Sequence, residues 1–144
     1  LEFFCCQIQK AYEENKAICD ISEFYENRDK ARYGSYYLDK IEELHDYMPE
    51  EFEYLIWGGG LIGTAIYGIM KEEFPKATLV AVIDNYLTGT WHGCKIIKPD
   101  ALTQYSNKFI LLATYSGKEE CYRKMNELGL VENENYIYVA TQNG

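Results

Sequence analysis

The chain changes rhythm near residue 50. Before it, apolar positions recur at helical spacing: Tyr33, Tyr37, Ile41, Leu44 and Met48 share one helix face. Asp39, Lys40, Glu42, Glu43 and Asp46 occupy most of the rest. Pro49 predicts the end of that helix, since the residue before proline disfavours helical geometry. Asn27 or Asp29 can cap its start, and a shorter amphipathic helix is expected over about residues 7–20. Beyond Pro49, short apolar runs alternate with amphipathic stretches. Strands are expected at 54–57, 78–83, 94–97, 108–113 and 136–139. Helices are expected at 61–74, at 99–105 behind Pro99, and at 116–128, the last closed by Gly129. Residues 85–93 are expected as loop. The run at 108–113 is apolar throughout, as in a strand covered on both faces. This alternation predicts a three-layer α/β domain with a parallel sheet, and right-handed crossovers give the strand order 3-2-1-4-5. The expected division is a helical extension over 1–50 and the sheet domain over 51–144.

One junction carries chemistry. Tyr54-Leu-Ile-Trp runs straight into Gly58-Gly59-Gly60-Leu61-Ile62-Gly63 and then a helix. Gly58, Gly60 and Gly63 satisfy the G-x-G-x-x-G spacing of a dinucleotide-binding turn, which makes the domain Rossmann-like. Such a turn needs glycine for tightness, for backbone approach to a pyrophosphate, and for close packing of helix on strand. The helix N-terminus then presents free N–H groups and the positive end of its dipole to phosphate. Asp84 closes the second strand, 21 residues beyond Gly63, near the separation expected of an acid that accepts from ribose hydroxyls. A carboxylate there disfavours a 2′-phosphate, so NADP is not expected. Two bland readings stand beside these: a tight β–α turn that binds nothing, and an Asx-turn at Asp84-Asn85.

In a sheet of this order, ligands bind beyond the carboxyl ends of the strands, at the switch between the first and fourth. Gly58–Gly63, Asp84-Asn85 and Thr114-Tyr115-Ser116 are expected to meet there. Thr114 and Ser116 can donate hydroxyls to phosphate or ribose. For Ser116 the stronger reading is an S-x-x-E capping box with Glu119. Trp91 and His92 can stack on a base or act as a general base. A tryptophan plug beside an exposed histidine is the better reading, because no Ser, Cys or acid lies next to His92 in sequence. No tyrosine–lysine pair of the short-chain dehydrogenase kind follows the fourth strand, and no self-sufficient catalytic set is present.

Composition narrows the classes. The 144 residues suit about one domain, and 47% hydrophobic content supports a proper core. The net charge of −9 implies no nucleic-acid partner and no attraction to an anionic membrane. No apolar span of transmembrane length occurs. Cys5, Cys6, Cys19, Cys94 and Cys121 are odd in number and form no C-x-x-C pair, which predicts free thiols in a reducing cytoplasm and no metal site. The 14 tyrosines read as half-buried packing. The chain opens on Leu1, which suggests a fragment or a processed protein.

Five segments together carry a resemblance: Ile56–Gly63, Val82–Asn85, Gly93–Asp100, Ile110–Thr114 and Leu128–Tyr136. The series, spanning about 52–140, resembles the small nucleotide-sugar-binding domains of bacterial surface-polysaccharide enzymes. Those include sugar acyltransferases, sugar C-methyltransferases and sugar-nucleotide dehydratases. The resemblance implies that Gly58, Gly60, Gly63, Asp84 and Asn85 hold a nucleoside diphosphate, as a UDP- or TDP-sugar. Residues 1–50 do not match that group and the acyltransferase histidine lies outside the matching segments, so no catalytic role carries over. The expected function is a nucleotide or nucleotide-sugar binding module, part of a transferase or sugar-nucleotide enzyme. The alternatives are an NAD-dependent epimerase or dehydratase and an interaction domain with a vestigial, ligand-free site. The N-terminal helices are expected to serve a homo-oligomer or an absent catalytic domain.

Overall fold

The computed structural model describes residues 37–140, which belong to one compact unit, Tyr36–Gly144. The described chain opens in helix at 37–42 (α1) and tightens into a 3₁₀ turn at Glu43–Asp46. Then follow β1 (Glu53–Trp57), α2 (Leu61–Glu73), β2 (Thr78–Ile83), β3 (Thr90–Trp91) and β4 (Cys94–Ile97). A 3₁₀ helix (Pro99–Gln104), β5 (Phe109–Leu112), α3 (Lys118–Glu127) and β6 (Tyr136–Tyr138) complete it. The six strands lie in the order β3-β4-β2-β1-β5-β6. All pairings are parallel except β3 with β4. The five parallel strands therefore carry the expected order, 3-2-1-4-5, in a Rossmann-like α/β sheet.

The difference is the added edge strand. The segment expected as loop folds into a hairpin, pairing Thr90 with Lys95 and Trp91 with Cys94. Its two-residue turn is His92-Gly93, with φ of 49° and 82°. Positive φ at both central positions is the type I′ turn that matches strand twist. Histidine tolerates that region better than most residues, but His-Gly lacks the usual Asn-Gly or Asp-Gly signal.

Alternation along the strands fills two cores, because successive side chains face opposite sides. Leu55, Trp57, Ala81, Ile83, Ile110 and Leu112 pack with Cys121 and Met125 of α3. The alternate positions Tyr54, Ile56 and Leu111 are equally buried on the other face. There α2 buries Gly63, Ile66 and Met70, a stripe at helical spacing that ends on Phe74. Each such apolar side chain contributes roughly 1.5–3 kcal/mol.

The stripe before Pro49 is largely buried: Tyr37, Ile41 and Leu44 are at most 1% exposed. The helix does not run to Met48 as expected. It tightens at Glu43, and Tyr47 leaves helical geometry at φ −143°. His45 stacks on Phe74 with ring centroids 4.2 Å apart and lies 3.2 Å from a Glu73 carboxylate oxygen. Tyr33, the caps Asn27 and Asp29, the 7–20 helix and Cys5, Cys6 and Cys19 lie outside the described residues. Among the described residues no helix is long and apolar enough to cross a membrane.

Candidate functional site

β1 is the central strand, flanked by β2 and β5, and three loops leave the carboxyl ends of this trio. The glycine loop after β1 meets the other two. Gly58 takes φ +118°, and its N–H donates to the Ile83 carbonyl at 2.8 Å. A Cβ on Gly58 would lie 2.9 Å from the Ala113 carbonyl oxygen and 3.3 Å from Thr114 Cβ. At Gly63 a Cβ would lie 2.0 Å from the Gly58 oxygen, so the helix can approach the turn only without a side chain. Gly60 is different. It has φ −89°, is exposed, and a Cβ there would meet nothing within 4 Å. It is the N-cap of α2, where no side chain caps the helix. The first N–H groups of a helix have no intrahelical partner, so the start of α2 faces open space with its donors. This surface suits a diphosphate: donors, a favourable dipole and no steric barrier.

Asp84 is turned toward the protein. Its Oδ1 accepts from the N–H groups of Tyr86 at 2.8 Å and Leu87 at 2.9 Å, an Asx-turn. Its Oδ2 accepts from Gly59 N–H at 2.9 Å. Burial opposes the charged form, but the three backbone donors and the nearby Lys98 outweigh it and hold the carboxyl below its ordinary range. Lys98 closes the same turn, donating from Nζ to the carbonyls of Asp84 at 2.9 Å and Leu87 at 3.0 Å. Trp91 is the plug expected of it. It is 9% exposed, and its Nε1 donates to the Gly59 carbonyl at 2.7 Å. His92 is exposed on the hairpin turn, its ring 4.4 Å from that of Trp91.

Asn85 ties the second loop to α3, its Nδ2 donating to Glu120 at 3.0 Å. Ser116 is not a cap. α3 starts at Lys118 with Gly117 as N-cap and no side-chain cap bond. Thr114 Oγ1 instead accepts from Gly117 N–H at 3.3 Å, folding the loop short of the helix. Ser116 is thereby exposed, as is Tyr115. The geometry thus brings together all three segments expected from the sequence. Leu61 is fully on the surface and Ile62 is half-buried. Tyr86, 92% exposed on the same rim, and Lys98 were not anticipated. A lysine directly after an apolar strand carries no signal for a carbonyl clamp. Cys121 is fully buried, and burial, with Glu120 beside it, pushes its thiol up to about 12. Cys94 is half-buried, donates to the Leu79 carbonyl, and is also raised by burial. Neither thiol is a ready nucleophile.

No protein-family model matches the chain, and no curated protein matches it. Solved structures do. The chain is similar to RSP, a Rex-family repressor, at 12% identity and TM-score 0.49, covering 63% of this chain and 53% of that one. It is similar to RSP in complex with β-NADH at 13% identity and TM-score 0.47, covering 65% and 55%. It is similar to RSP in complex with β-NAD+ and operator DNA at 14% identity and TM-score 0.50, covering 71% and 58%. The chain spans little more than half the length of these structures. At such identity the likeness speaks of the fold alone. It corrects one expectation: the net charge implied no nucleic-acid partner, yet a protein of similar fold is held in complex with operator DNA. Net charge averages over the surface, whereas nucleic acids are bound by local patches and by other parts of a protein.

Proposed function

We propose that residues 51–140 form a nucleotide-binding domain whose ligand lays its diphosphate over Gly60 and the N-terminus of α2. The observation that carries this reading is the contrast among the glycines. Gly58 and Gly63 are required by the turn itself, whereas nothing around Gly60 forbids a side chain. The fold leaves Gly60 open on the face where α2 offers uncapped N–H groups. On this reading Asp84, Asn85, Thr114, Tyr115 and Ser116 lie around the bound ligand, and the chain supplies binding and orientation of the nucleotide.

Two ligand classes follow from different observations. The nucleotide-sugar class, with its polysaccharide context, rests on the resemblance of the five segments. NAD rests on the fold shared with a repressor held in complex with NAD+. A thermal-shift panel of NAD+, NADH, UDP-sugars, TDP-sugars and coenzyme A separates them. A site-specific ligand at 100 times its Kd should add roughly 2.7 kcal/mol of stability. A panel without any shift would contradict nucleotide binding and leave the vestigial-site reading.

A further inference from the structure

We propose that Asp84 and Trp91 are positioning residues that present the Gly60 N–H to phosphate, and that Asp84 does not grip the ribose. This rests on the nucleotide reading above. A carboxylate oxygen offers two lone pairs. Oδ1 of Asp84 spends both on Tyr86 and Leu87, and Oδ2 spends one on Gly59. The acid that the glycine fingerprint assigns to ribose is therefore largely consumed inside the protein. Gly59 is held from both sides. Asp84 takes its N–H, and the Trp91 indole donates to its carbonyl at 2.7 Å. That carbonyl belongs to the peptide that carries the Gly60 N–H. In a trans peptide the two groups point in opposite directions. No cis peptide occurs among the described residues. Pinning the carbonyl on Trp91 thus aims the Gly60 N–H away from the hairpin. The contact also needs glycine at 59: a Cβ there would lie 2.8 Å from Leu87 Cδ1 and 3.1 Å from Trp91 Nε1, against the indole that holds the carbonyl. Lys98, bonded to the carbonyls of Asp84 and Leu87, fixes the segment that carries both Asp84 and the Leu87 wall.

Two variants separate positioning from direct contact. Asp84→Asn keeps one oxygen for Tyr86 and Leu87 but sets an amide N–H against that of Gly59. Trp91→Phe removes the indole donor and retains a ring. Affinities are measured by NMR titration with inorganic pyrophosphate, which has no ribose, and with NAD+ and UDP. Each variant is expected to weaken pyrophosphate and the ribose-bearing ligand by the same factor, about tenfold. The double variant should fall short of the product of the single effects, since both act on Gly59. In the ligand-free proteins, Asp84→Asn should also shift the Trp91 indole N–H resonance. Loss of NAD+ or UDP affinity with pyrophosphate unchanged would overturn the inference and return the carboxylate to the ribose. An unmoved indole resonance in Asp84→Asn would overturn it as well. A wild-type protein that binds none of the three probes would instead overturn the nucleotide reading itself.

Discussion

Glycine is used in two different ways within six residues, and substitution separates them. Gly63→Ala places a methyl 2.0 Å from the Gly58 carbonyl oxygen, so either the turn or the first turn of α2 must move. Overpacking of this kind costs about 1–3 kcal/mol or more, and a urea melt should show it as a lower midpoint. Asp84 makes a second residue-scale prediction. Its folded pKa lies below the ordinary carboxylate value of 3.8. Its stabilising contribution is therefore present above that value and lost as pH falls through the folded pKa. Asp84→Asn should be less stable than wild type at neutral pH, and the two stabilities should converge in acid. A constant gap down to the acid limit would show that the charge plays no part. The sequence showed the glycine spacing and the acid at the strand end. It did not show that the acid faces inward, because that depends on where Gly59 and the hairpin meet in space, 25 residues apart for the Gly59 bond and 32 for Trp91.

At the scale of elements, long apolar runs were the most legible. The β2 and β4 bounds are those expected from sequence, and β1, β5 and β6 lie within a residue of theirs at each end. Short, irregular pieces were less so. The stretch behind Pro99 forms a 3₁₀ helix, for which helical spacing over six residues is too little signal. The S-x-x-E pattern at Ser116 predicted a cap, but Thr114 reaches Gly117 first and starts the helix two residues later. Ser116→Ala should then change stability by less than about 0.5 kcal/mol. Thr114→Val, which keeps the shape and removes the acceptor, should cost about 0.5–1.5 kcal/mol. Paired thermal melts decide between them, and the reverse ranking would restore the capping box.

At the scale of the whole molecule, the segment before Pro49 belongs to the described core rather than to solvent. Tyr37, Ile41 and Leu44 are as deeply buried as the central strands. Leu44→Ala should cost about 2–5 kcal/mol by the loss of buried methyl groups and the cavity left behind. A cost near zero in denaturant unfolding would show the stripe to be peripheral. The parallel sheet and its strand order follow from alternation, glycine punctuation and the handedness of crossovers, all of which are local or chiral rules. Partners do not follow from such rules. A net charge of −9 implied no nucleic-acid partner, yet a similar fold is held in complex with operator DNA in a longer chain.

The central claim is that phosphate sits over Gly60, and one titration tests it most directly. Calorimetric binding of the strongest ligand from the nucleotide panel is compared between wild type and Gly60→Val. A Cβ at Gly60 meets nothing within 4 Å and φ is −89°, so the backbone accepts a side chain there. Stability should stay within about 1 kcal/mol of wild type, the difference between glycine and a poor N-cap residue. The account predicts measurable binding to wild type and its loss in the folded variant. Equal affinity in both proteins would contradict it.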